Sequence, residues 1–113
     1  MPLTPLLASL LLGAQAPVPA EQAALAQCVG QFADAQLQAG APAAEFVDAL
    51  ANACQQEERA YRSAFLAAAT ARGAAWLDAE SEAYRNVQNL RIAQRGAYLA
   101  ATGTCARQPN RRR

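Results

Sequence analysis

Three cysteines, Cys28, Cys54 and Cys105, are the residues with the most chemistry to offer. Thiols bond to one another, hold soft metals or act as nucleophiles, and their spacing decides among these. Cys28 and Cys54 each stand thirteen residues from Ala41, at the centre of Gly40-Ala41-Pro42. Glycine closes helices and proline opens them, so this tripeptide reads as a tight turn between two helices. In an antiparallel hairpin both cysteines then lie at the same height, about 20 Å below the turn at the rise of an α-helix. A disulfide needs Cα atoms about 5.5–6 Å apart, and equal height meets that condition. Both cysteines also fall on apolar stripes, so a Cys28–Cys54 bond is expected. Cys105 follows the last helical stretch, and in an up-down-up bundle it ends near the turn, several helical turns from the other two. It is expected as a free thiol able to link two chains into a homodimer.

Other chemistry finds little support. The chain has no histidine. No cysteine pair has the C-x₂₋₄-C spacing of a metal site or the C-x-x-C of thioredoxin-type redox chemistry, so neither a metal nor another cofactor is expected. Glu57 and Glu58 continue an apolar stripe, where a carboxylate more often reaches water or pairs with arginine than works as a catalytic acid. Tyr61, Tyr84 and Tyr98, with Glu57, Glu58 and Arg62, have the residue types of a pocket. Tyrosines at helical spacing read instead as core residues with one polar end. No G-x-S-x-G, no phosphate-binding glycine loop and no histidine base is present, so no catalytic residue is assigned and the chain is not expected to be an enzyme.

The elements that position these residues are helical. Alanine dominates, and β-branched and aromatic residues are few, the composition of a helix former. Helix one is expected over 21–39, with Leu25, Cys28, Val29 and Phe32 as its stripe. A second helix is expected over 43–72, with Val47, Leu50, Cys54, Tyr61, Phe65 and Ala68 facing inward. Gly73 is expected to end it, and a third helix follows over about 75–101, with Trp76, Leu77, Tyr84, Val87, Leu90 and Tyr98 as its apolar face. The alternative is one long helix running through Gly73, since a helical glycine costs only about 1 kcal/mol. The fold class expected is all-α: a disulfide-closed helical hairpin extended to a small up-down-up three-helix bundle.

Residues 1–20 read as a signal peptide. Leu6 to Leu12 is an apolar run too short to span a bilayer, and Val18 and Ala20 are small residues where a signal peptidase reads. The stretch before the run carries no Lys or Arg. Cleavage after Ala20 leaves a helical domain over 21–103 and a basic tail over 104–113. Leu25-Ala26-Gln27-Cys28 faintly resembles a lipidation signal, but Gln27 is the wrong residue before the cysteine and the apolar run ends too early. Localisation is expected to be exported, periplasmic or secreted, a compartment that permits the disulfide. No transmembrane span is expected.

The formal net charge of +1 hides a gradient. Every basic residue is arginine, none precedes Arg59, and no acid follows Glu82. Arg107, Arg111, Arg112 and Arg113 make the tail a candidate anion-binding segment without sequence preference, and Arg85, Arg91 and Arg95 precede it on the third helix. The competing explanation is that acids of the first helix complement arginines of the third. The expected function is a non-catalytic binding or structural role in the cell envelope or periplasm. The partner is an unknown protein or an anionic envelope component, and no specific nucleic acid is expected. The alternative function is a periplasmic stress holdase chaperone, which without histidine could not be switched by imidazole near pH 6.

Overall fold

The computed structural model describes residues 18–103 and is all-α. Its helices are α1 (Pro19–Ala39), α2 (Ala43–Leu50), α3 (Gln55–Ala71) and α4 (Trp76–Ala101). Residues 1–17, with most of the expected signal peptide, lie outside the described residues, and so does the segment from 104 onward. With that segment go the expectations about Cys105, Arg107, Arg111, Arg112 and Arg113.

The two expected turns are built on glycines in left-handed backbone. Gly40 has φ 71°, and the Gly40 and Ala41 N–H groups donate to the carbonyls of Leu37 and Gln36, both at 3.0 Å. Gly73 has φ 100° and repeats the pattern, with Gly73 and Ala74 donating to Thr70 and Ala69. These paired bonds satisfy carbonyls that a helix end leaves open, and only glycine adopts that backbone without a Cβ penalty. The chain therefore breaks at Gly73, and the alternative of a single long helix is discarded.

The path is up-down-up, with α2 and α3 together as the descending arm. α4 rises beside α1: Gln94 of α4 lies beside Gly30, and Tyr98 reaches the α1–α2 turn. The core gathers Leu25, Val29 and Ala33 of α1, Phe46 and Leu50 of α2, Tyr61, Phe65 and Ala69 of α3, and Ala79, Ala83, Val87 and Tyr98 of α4. Beneath the α1–α2 turn Phe32, Phe46 and Tyr98 stack, with ring centroids 5.8 and 3.8 Å apart. The Tyr98 hydroxyl donates to the Ala41 carbonyl at 2.6 Å, so its one polar atom is satisfied by the turn it supports.

Four expectations are corrected. The helix over 43–72 is two helices, because the regular α-helix gives way to a turn at 51–54, where Cys54 takes φ 62°. Cys54 is therefore the residue before α3, not a position on a continuous stripe. With α2 only one short stretch long, Phe46 and Leu50, at i and i+4, face inward, and Phe46 is fully buried although the expected stripe passed through Val47. On α4 the buried face is Ala79, Ala83, Val87, Arg91 and Tyr98, while Trp76, Leu77 and Tyr84 are exposed. Small alanines let α3 and α4 approach closely, which turns Leu77 and Tyr84 outward. Trp76, at the first position of α4, is in phase with the buried face yet 55% exposed. Helix α1 also starts at Pro19, two residues before the expected 21, with proline in its first turn and Val18 buried ahead of it.

Candidate functional site

The most constrained group of side chains surrounds the α2–α3 junction. In an unbroken helix the Leu50 carbonyl would accept from the Cys54 N–H and the Ala53 carbonyl from the Glu57 N–H. At the junction the Leu50 carbonyl accepts instead from the Ala53 N–H at 3.2 Å, and Arg91 of α4 donates to both carbonyls. Its Nε donates to the Leu50 carbonyl at 3.1 Å and its Nη2 to the Ala53 carbonyl at 2.8 Å. Its third bond, from Nη1 to Glu58 Oε1 at 2.8 Å, is also an ion pair. The Arg91 side chain is 9% exposed and that of Glu58 17%. The planar fork of guanidinium suits three acceptors in fixed directions, which the rotating ammonium of lysine does not. Glu58 also meets Arg62 at 3.4 Å, and Arg62 reaches Glu80 of α4 at 3.8 Å.

Beside this clamp Cys28 and Cys54 are disulfide-bonded, with Cα atoms 6.0 Å apart. The expected pairing is present, though Cys54 reaches Cys28 from the junction rather than from a helix face. Both cysteines are half-buried, and so is Glu57 in the first turn of α3. The two sulfurs and a Glu57 carboxylate oxygen all lie within 4.8 Å of one another. Sequence spacing pointed away from such a group because its donors come from α1, the junction and α3.

The tyrosines do not share a site. Tyr61 is buried and its hydroxyl accepts from Asn86 Nδ2 at 2.9 Å, Tyr98 supports the α1–α2 turn, and Tyr84 is about half exposed. Nor do arginines of α4 meet acids of α1 among the described residues: Arg91 pairs with α3, and Arg85 and Arg95 are exposed without an ion pair. Arg91 accordingly leaves the set of arginines available to a partner.

What α4 offers outward is a mixed stripe. At about 100° per residue, Leu77, Tyr84, Arg85, Gln88, Ile92 and Arg95 fall within an arc of about 100° that borders the buried face on its Arg91 side. Leu77, Tyr84 and Ile92 are 70%, 51% and 53% exposed. Two shallow hollows flank this stripe. One lies over Val47, Ala51 and Ile92, the other between Arg62, Glu80 and Tyr84.

Among the described residues no helix is long and apolar enough to cross a membrane. No family model, curated protein or solved structure matches the chain.

Proposed function

We propose that this chain is an exported, non-catalytic binding protein of the cell envelope or periplasm, and that the outward stripe of α4 engages an anionic partner, a protein or another envelope component. The observation that carries the reading is the stripe itself. Exposed Tyr84 and Ile92 alternate with Arg85 and Arg95, which pair with no acid among the described residues. Aromatic and arginine side chains are the types that concentrate binding energy at interfaces. Export is supported by the disulfide and is compatible with the lack of a membrane-crossing helix among the described residues. The arginines at 107 and 111–113 would extend the same charge beyond α4.

The test is retention on immobilised heparin at low salt. Retention that falls with salt and is lost in Arg85→Glu/Arg95→Glu supports the stripe, because neutralised anions release condensed counterion. Retention that depends only on the segment after Ala106 assigns the binding to the tail. No retention of either form overturns the reading. A holdase is the second reading, favoured by the exposure of Trp76, Leu77, Tyr84 and Ile92. It requires that the protein suppress aggregation of an unfolding client and bind an apolar dye more strongly in strong acid than at neutral pH.

A further inference from the structure

We propose that Cys28, Cys54 and Glu57, once the disulfide is reduced, form a site for a thiophilic divalent cation of the zinc class. Their three donor atoms already lie within 4.8 Å of one another. In a tetrahedral zinc site, with Zn–S about 2.3 Å and Zn–O about 2.0–2.2 Å, ligand atoms stand about 3.5–3.8 Å apart. The sulfurs must part and the carboxylate close in, movements within the reach of side-chain rotation. Two thiolates and a carboxylate set three negative charges against the two of the ion, and water fills the fourth position. All three side chains are half-buried, which leaves the ion a way in.

The donors stay together without the sulfur–sulfur bond because other contacts hold each backbone. Arg91 fixes the junction through the Leu50 and Ala53 carbonyls and the first turn of α3 through Glu58. Cys54 and Glu57 lie within that fixed stretch. Cys28 is carried on α1 between buried Leu25 and Val29. Cys54 also precedes the first turn of α3, where open N–H groups favour negative charge.

The chemistry balances with a phosphine reductant in water. The disulfide takes up two electrons and two protons, and the phosphine becomes its oxide. The cation then displaces the two thiol protons to solvent. Cystine and metal are mutually exclusive, so oxidation of the pair releases the ion. This site does not depend on the binding role of α4.

The experiment uses the chain with Cys105→Ser, so that the remaining thiol cannot contribute. After anaerobic phosphine reduction and desalting, it is titrated with Cd²⁺, read by sulfur-to-metal charge-transfer absorption, and with Zn²⁺ against a chromophoric chelator. The expected result is one ion per reduced chain, none per oxidised chain, and at least tenfold weaker binding in Glu57→Gln. Glu45→Gln, on exposed α2 surface, should bind as the parent does. Circular dichroism of the same samples should show helicity retained on reduction or restored by the ion. Binding no tighter than that of Cys28→Ser, an unchanged affinity in Glu57→Gln, or a loss of helicity that Zn²⁺ does not reverse would each overturn the proposal.

Discussion

The guanidinium of Arg91 and the carboxylate of Glu58 meet at 2.8 Å beneath the gap between α2 and α3, and both are largely removed from solvent. The pair joins α4 to α3 while the rest of the same guanidinium serves the Ala53 carbonyl, which the broken helix leaves open, and the Leu50 carbonyl, which also accepts from the Ala53 N–H. Removing Arg91 leaves the Glu58 charge and the Ala53 carbonyl without it, and removing Glu58 leaves a buried guanidinium without its carboxylate. Arg91→Ala should therefore destabilise the fold by about 3–5 kcal/mol. Arg91→Lys should recover only part of that, since ammonium cannot match the planar fork. Urea unfolding of the single variants and of the double variant with Glu58→Gln measures the coupling, and additive effects would show that the pair contributes nothing of its own.

Peptide mapping without reduction should recover Cys28 joined to Cys54, as the structure has them. Reduction should lower stability by about 3–4 kcal/mol, the chain-entropy value for a loop of this size. A peptide linking Cys105 to either cysteine would contradict the bundle.

The hydroxyl of Tyr98 and the ring of Phe46 tie the end of α4 to the α1–α2 turn. Tyr98→Phe keeps the stack and loses the bond to Ala41, for a cost of about 1 kcal/mol. Phe46→Ala removes a fully buried ring and should cost about 3–5 kcal/mol. Thermal unfolding of the two variants should rank them in that order, and equal shifts would mean that the stack adds little.

Cys105 follows the last described helix in the sequence and is the one cysteine outside the Cys28–Cys54 pair. Mild oxidation should give a dimer band on a non-reducing gel that vanishes in Cys105→Ser. A monomer throughout would point to an inert thiol.

Intact-mass measurement of exported protein should place the mature N-terminus at Glu21. Such a chain lacks Val18, which is buried against the core. A start at or before Val18 would move the cleavage site and keep that contact.

The sequence by itself determined the helices that announce their own ends. Gly40, Pro42 and Gly73 are local signals, because left-handed backbone and a fixed proline φ are properties of single residues. They were enough to set the two turns, the order of the bundle and the equal heights of Cys28 and Cys54. The break at 51–54 has no such signal. Ala51, Asn52, Ala53 and Cys54 include neither glycine nor proline, and the local turn bonds from Asn52 to Ala49 and from Ala53 to Leu50 are joined there by tertiary contacts: the bond to Cys28 and the reach of Arg91, thirty-eight residues beyond Ala53. The same holds for the buried face of α4. Hydrophobicity pointed to Trp76, Leu77 and Tyr84, but close packing on α3 was decided by the small size of Ala69, Ala79 and Ala83. The grouping of Cys28, Cys54 and Glu57 exists only once three separate backbone segments have met, and no spacing along one strand of sequence encodes it.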